Sequence, residues 1–79
     1  MQKYILITCY NGICVRFFDS LEAATAKRNS EIAVLTGADE KVFLNEEFEC
    51  DDYDFDKFNA FANVGDFTYV YWRIVEIPE

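Results

Sequence analysis

The sequence feature that most constrains the fold is an Asn-Gly pair between two strand-like segments. Asn11 and Gly12 separate two runs that are both rich in β-branched and aromatic residues. A two-residue hairpin loop of type I′ needs positive φ at both central positions, which Asn and Gly adopt at little cost. We therefore predict a β-hairpin whose strands cover residues 3–10 and 13–18.

The register of this hairpin would bring two of the three cysteines together. A two-residue loop places Cys9 opposite Cys14 at a non-hydrogen-bonded pair, where facing side chains approach most closely. The two thiols could be reduced or could form a cross-strand disulfide, and the sequence leaves both alternatives open. Because the count is odd and the chain has neither a Cys-x-x-Cys pair nor a histidine, the cysteines favour neither a secreted disulfide framework nor a zinc site.

The segment after the hairpin predicts one long helix over about residues 20–36. Asp19 is followed three residues later by a glutamate, as in a capping box, and the run LEAATAKR has high helix propensity. Gly37 is a typical C-terminal stop. The apolar stripe of this helix is interrupted at Arg28. The alternative is a shorter helix followed by a strand over residues 32–35.

Two further strands and a short helix are predicted in the second half of the chain. Alternating apolar residues favour a strand over about residues 41–50, followed by a turn or bulge. Residues 54–62 favour a short helix with an aspartate at its start. Residues 67–77 are predicted to form a last strand that is apolar on both faces. Such a strand is usually central in its sheet, with Trp72 in the core.

These elements predict a single compact α+β domain that spans residues 1–79. The element order is ββαβαβ, with a four-stranded antiparallel or mixed sheet, one long helix and one short helix. A chain of 79 residues buries only about 60% of the surface that its unfolded form exposes. Its high content of apolar (52%) and aromatic (18%) residues compensates for the small core.

Seven carboxylates and no basic residue lie between Glu46 and Asp56, with three aromatic residues among them. A disordered acidic tail usually lacks aromatics, whereas aromatics here could anchor the segment to the core and fix its charges in an array. Tyr53 and Phe55 are expected at the surface, because they flank turns or acidic residues. The predicted partner-binding residues are Glu46, Glu47, Glu49, Asp51, Asp52, Tyr53, Asp54, Phe55 and Asp56.

The charge and the composition disfavour several classes of function. The net charge of −8 disfavours direct binding to nucleic acids and to anionic membrane surfaces. No apolar run is long enough to span a bilayer and no signal peptide is visible, so we expect a cytoplasmic protein. We expect no catalytic residues, metal site or cofactor, because the chain has no histidine, no EF-hand spacing and no glycine-rich phosphate loop.

These observations predict a non-catalytic acidic protein that inhibits a basic, nucleic-acid-handling protein partner through its carboxylates. DNA carries one negative charge per about 1.7 Å of its axis, and an acidic surface with aromatics can imitate that track. In size and charge the chain is similar to the nucleic-acid-mimicking anti-restriction and anti-CRISPR inhibitors of phages and mobile elements. Two alternatives are a structural or assembly module that self-associates, for example as a homodimer, and a small-ligand sensor or sponge, with the acids serving only solubility.

Overall fold

A computed structural model describes residues 3–65 and 69–78 of the chain. In these residues the fold consists of one six-stranded sheet and one α-helix. The strands are β1 (Tyr4–Cys9), β2 (Ile13–Phe18), β3 (Phe48–Glu49), β4 (Tyr53–Phe55), β5 (Asn59–Asn63) and β6 (Tyr69–Glu76), the helix α1 is Leu21–Thr36, and a 3₁₀ helix is Glu40–Leu44. The strands lie in the order β2-β1-β6-β5-β4-β3, and all neighbours are antiparallel.

The core lies between the helix and one face of the sheet. α1 contacts β1, β2, β5 and β6, and we call the sheet face towards α1 the inner face. Alternate residues of each strand point to this face. The buried hydrophobic residues are Leu6, Ala24, Ile32, Phe55, Ala60, Ala62, Val70, Trp72 and Ile74. The predicted α+β class is therefore correct.

The long helix lies where the sequence predicts it. α1 ends at Gly37, whose φ of 74° is left-handed and whose N–H donates to a carbonyl of the last turn at 2.8 Å. The N-cap is Ser20 instead of Asp19, because the Ser20 hydroxyl accepts a hydrogen bond from the N–H of Ala23 at 3.1 Å. The alternative strand over residues 32–35 is wrong, because these residues belong to α1.

The first hairpin forms from the predicted strands, but its predicted register is wrong by one residue. Cys9 pairs with Ile13 instead of Cys14, so the loop has three residues. Within it, Asn11 and Gly12 have positive φ, 51° and 127°, as the sequence predicts. Because of the shift, Cys9 and Cys14 point to opposite faces of the sheet, and both thiols are free. The disulfide alternative is excluded.

Contacts with α1 explain this register. A one-residue slip would turn every side chain of β2 to the other face. In the observed register Arg16 points to the inner face, where its Nη2 donates to Glu31 Oε1 of α1 at 2.5 Å. The same oxygen accepts hydrogen bonds from Thr8 Oγ1 at 3.4 Å and from Trp72 Nε1 at 3.3 Å. The predicted register would have turned Arg16 away from this cluster.

The predicted four-stranded sheet with two helices is wrong, because the predicted helix over residues 54–62 is a hairpin. Its two halves are β4 and β5, and the carboxylate of Asp56 closes the turn between them. That carboxylate accepts hydrogen bonds from the N–H of Phe58 at 2.9 Å and from the N–H of Asn59 at 2.8 Å. An aspartate that bonds the backbone in this way stabilises a turn and competes with helix formation.

The predicted strand over residues 41–50 is also wrong over most of its length. Glu40–Leu44 is a 3₁₀ helix, and the side chain of Asp39 caps its start by accepting a backbone N–H at 2.9 Å. Phe43 packs against the core from this helix, so the alternation of apolar residues here does not reflect a strand. Only Phe48–Glu49 joins the sheet, at its edge, as β3.

The last strand is central, as predicted. β6 lies between β1 and β5, and Trp72 on its inner face is fully buried. Residues 67 and 68 of the predicted strand lie outside the described residues. Tyr69 and Tyr71, on the opposite, outer face of β6, are each more than half exposed, so this apolar strand is covered on one side only.

Candidate acidic interface

The acidic segment forms one edge of the sheet. We call residues 46–56 the acidic ribbon, and they comprise β3, β4 and the turn that joins them. All seven of its carboxylate residues are exposed: Glu46, Glu47, Glu49, Asp51, Asp52, Asp54 and Asp56. β3 is the edge strand, so the free edge of the acidic ribbon pairs with no other strand of the described chain. The seven predicted acids therefore share one two-stranded surface element.

Aromatic side chains hold the acidic ribbon to the core, as its interleaved sequence predicts. The rings of Phe48 and Tyr53 stack with centroids 5.6 Å apart, and those of Phe48 and Phe55 stack at 6.2 Å. Phe43 of the 3₁₀ helix adds a tilted contact with Phe55 at 5.3 Å. Because these rings lie on the inner face, the carboxylates are displayed from a fixed backbone.

Tyr53 and Phe55 are not surface residues of the kind predicted. Phe55 is only 4% exposed and belongs to the core, so the expectation of surface exposure is wrong for this residue. Tyr53 is half-buried, and burial raises the pKa of its hydroxyl. The neighbouring Cys50 and Asp52 raise this pKa further. Of the nine predicted partner-binding residues, the seven acids have exposed side chains, Tyr53 is half-buried and Phe55 is buried.

Two of the acids repel each other across the ribbon. Glu49 and Asp54 are direct partners in the β3–β4 pairing, on the outer face of the sheet. Like charges directly opposite each other destabilise a sheet. Burial together with the charges of Glu49 and Asp56 raises the pKa of Asp54. A positive charge close to the pair would reduce this repulsion.

Asp56 differs from the other acids because its carboxylate already has partners. Partial burial alone would raise its pKa, but the hydrogen bonds from the backbone of Asn59 and Phe58 outweigh burial and lower it, with a smaller contribution from Arg28. The carboxylate closes the turn between β4 and β5. Asp56 therefore shapes the acidic ribbon, and its charge is less available to a partner.

Arg28 is the residue of this site that sequence reasoning did not assign. Its guanidinium is fully buried beneath the acidic ribbon, where Nη1 donates to the carbonyl of Asp56 at 2.8 Å. The same group lies over the ring of Phe55, 5.5 Å from its centroid. Burial lowers the pKa of Arg28, and the charge of Asp56 opposes that shift. The signal in the sequence was the interruption of the apolar stripe of α1.

The acidic ribbon contains a shallow groove. It has a volume of about 540 Å³ and is lined by Glu47, Phe48, Glu49, Asp54, Phe55 and Asp56. Carboxylates of this kind form charge-assisted hydrogen bonds with lysine and arginine side chains. Within residues 3–65 and 69–78, no group of three or more cysteine, aspartate or glutamate side chains is placed to hold a metal ion.

Comparisons with known proteins give no match. No protein family, no curated protein and no solved structure matches this chain. In the part of the chain that the structure describes, no helix is long and apolar enough to cross a membrane.

Proposed function

We propose that this protein is a non-catalytic inhibitor that binds a basic, nucleic-acid-handling protein through its acidic ribbon. The observation that carries the proposal is the set of seven exposed carboxylates on one edge of the sheet, in a segment without a basic residue. A face that serves only solubility normally mixes both signs of charge. The partner would be a protein, and neither nucleic acid nor a membrane would be a direct ligand.

The spacing of the carboxylates supports imitation of a nucleic acid. Residues along a strand rise about 3.3 Å each, and neighbouring strands lie about 4.8 Å apart. Glu49 and Asp54 sit directly opposite each other, so their charges are separated by roughly one strand spacing. These distances are of the same order as the roughly 3.4 Å of helix axis per charge along one strand of DNA. A cationic groove built for phosphates could therefore accept the acidic ribbon.

The negative charge of the acidic ribbon is not neutralised by an ion pair with Arg28, the buried cation beneath it. Arg28 donates to backbone carbonyls beneath the ribbon and forms no ion pair with its exposed carboxylates in the described residues. The exposed acids therefore project a field of one sign. Such a field steers a basic partner and accelerates association, mainly at low ionic strength.

Capture from a lysate with two matched variants tests this proposal. The ribbon variant carries Glu47→Gln, Glu49→Gln, Asp51→Asn and Asp52→Asn, and the control variant carries Asp19→Asn, Glu22→Gln, Glu40→Gln and Glu76→Gln. All eight residues are exposed, so both variants lose four charges and should keep the fold. Wild type and the control should capture the same basic protein, and the ribbon variant should capture much less.

Two further measurements define the mode of binding. Capture should weaken as salt rises, because exposed charges are screened over about 8 Å at physiological ionic strength and about 3 Å at 1 M. Short duplex DNA should displace the captured partner if the acidic ribbon occupies a nucleic-acid site. Equal capture by the ribbon variant and the control would overturn the proposal and leave the acids a role in solubility.

We also propose that the protein acts in the cytoplasm. All three cysteines are free, which suits a reducing compartment.

The alternative function, self-association, would use a different surface, namely the uncovered outer face of the sheet.

A further inference from the structure

The outer face of the sheet carries a large apolar surface. α1 lies on the inner face, so the outer side chains of β1, β2, β5 and β6 have no cover in the described residues. We call the following set the uncovered face: Ile5, Ile7, Cys9, Ile13, Val15, Phe17, Phe61, Tyr69, Tyr71 and Val75. Strand pairing makes the set contiguous, because Ile7 lies between Val15 and Arg73, and Cys9 lies between Ile13 and Tyr71.

The exposed area of this face reaches the upper end of the range found for the largest apolar patch of a monomer. Ile13 is 75% exposed, and the exposed fractions of Val15, Phe17, Tyr69 and Tyr71 are 48%, 50%, 53% and 54%. At roughly 200 Å² for a large side chain, these five leave roughly 560 Å² uncovered, and the half-buried members of the face add to this area. The largest patch on a typical monomer is about 300–600 Å². A stable interface buries about 800 Å² per partner.

The charges of this surface favour a second copy of the same chain as its occupant. Arg73 is the one charged residue on the outer side of the described parts of β1, β2 and β6. A two-fold axis places the same patch of both copies against itself, so the patch must be nearly free of like charges. The uncovered face meets this condition, whereas the acidic ribbon, with Glu49 and Asp54 on its outer side, does not.

We propose that two copies of this chain associate through their uncovered faces to form a symmetric sheet-on-sheet dimer. Packed sheets of this kind bury facing side chains in a layer about 10 Å thick. β3, the edge strand of the acidic ribbon, lies four strands from β1, which is roughly 19 Å at the usual strand spacing. Asp54 of β4 borders the uncovered face beside Phe61, whereas the edge strand and the turn of each ribbon remain outside the dimer interface and available to a separate partner. The proposal does not depend on the proposed function.

The oligomeric state in solution tests this proposal. Sedimentation equilibrium of the full chain should give twice the 9.2 kDa mass of one chain at high concentration and one chain on dilution. Added salt should strengthen the dimer, because each copy carries a net charge of −8 and screening reduces the repulsion between copies. This dependence is opposite in sign to that expected for capture of a basic partner.

Single substitutions locate the interface. Val15→Glu and Tyr71→Glu each place two carboxylates in the apolar layer, one from each copy, and should raise the dissociation constant roughly 100-fold or more. Ile13→Glu, at the most exposed position, repeats the test with the least risk to folding. Val34→Glu is the matched control, because Val34 is an exposed valine on α1. Far-ultraviolet circular dichroism checks that all four variants are folded.

Three outcomes would overturn the proposal. The first is a wild-type chain that stays monomeric at every concentration. The second is a dimer that the three face variants form as tightly as Val34→Glu does. The third is a dimer in which new hydrogen-exchange protection is confined to the free edge of β2, since that pattern means edge pairing instead of face packing.

Discussion

Arg28 is a buried cation whose hydrogen-bond acceptors include backbone carbonyls and no carboxylate in the described residues. Its guanidinium is fully buried between α1 and the acidic ribbon and donates to Asp56 and Lys57 carbonyls and to the side chain of Asn29. Burying a charge is costly unless its donors are satisfied. These bonds and the ring of Phe55 satisfy it, and in return they fix the turn between β4 and β5 to the helix.

Removing the Arg28 side chain should therefore destabilise the domain. Arg28→Ala leaves the carbonyl of Asp56 without its donor and opens a gap beneath Phe55. We expect a loss of roughly 2–4 kcal/mol of unfolding free energy in urea titrations. Lys27→Ala is the control, since Lys27 is the exposed neighbour on the same helix and should lose less than about 0.5 kcal/mol. Equal losses for the two variants would mean that Arg28 has no special role.

The acidic ribbon is an element that carries internal repulsion. Glu49 faces Asp54 in the short β3–β4 pair, and the pKa of Asp54 is raised by burial and by the charges of Glu49 and Asp56. A carboxyl group whose pKa is raised in the folded state favours folding when protonated. Its charged form therefore lowers stability above the folded pKa, and this penalty disappears as pH falls through that value.

Neutralising Asp54 should accordingly stabilise the fold in a pH-dependent way. Asp54→Asn should raise the unfolding free energy at pH 7 by a few tenths of a kcal/mol, the scale of exposed cross-strand charge pairs. The gain should shrink as the pH is lowered through the range in which Asp54 becomes protonated in the folded protein. Urea unfolding of wild type, Asp54→Asn and the turn variant Asp51→Asn over a pH series measures it. A gain that is independent of pH would contradict the assignment to charge repulsion.

The elements that could be predicted from the sequence are those whose signal is local. The Asn11-Gly12 pair marks the first hairpin and Gly37 marks the end of α1, because each supplies backbone conformations that few other residues adopt. The hairpin register depends instead on a long-range contact between Arg16 and Glu31, which no local pattern reveals.

The β4–β5 hairpin was not predictable from its own residues. Phe58 and Phe61 have helical spacing, and the alanines between and after them have high helix propensity. Pairing with β6 favours a strand over a helix here, because Ala60 lies beside Trp72 and leaves room for the large ring. The acids of the candidate site were evident from their count, whereas Arg28 became part of that site only through the packing of α1.

At the scale of the whole molecule, Trp72 links the helix to the centre of the sheet. It is fully buried on the central strand, pairs with Thr8 on one side and Ala60 on the other, and donates its Nε1–H to Glu31 of α1 at 3.3 Å. Through its strand pairing and its side chain, this one residue joins the helix to three strands. A domain of this size has a total stability of only about 4–12 kcal/mol.

Trp72→Ala should cost about 3–5 kcal/mol, a large fraction of this total, and should lower the melting temperature strongly. Thermal unfolding followed by circular dichroism measures the loss. Tyr71→Ala, on the same strand but on the exposed side, should cost much less, and it serves as the control. A Trp72→Ala variant with the melting temperature of the wild type would show that the ring does not organise the core.

The two edges of the sheet differ in a way that limits growth by strand addition. β3 offers only two paired residues, and the carboxylates around it repel an incoming strand of the same chain. β2 offers six residues, and its only charged side chain, Arg16, is already engaged with Glu31. A chain that joined another through β2 would leave a β3 edge at each end of the extended sheet. Addition of strands would stop at these β3 edges. The open edge of β2 therefore permits pairing of two chains but not the growth of a fibril.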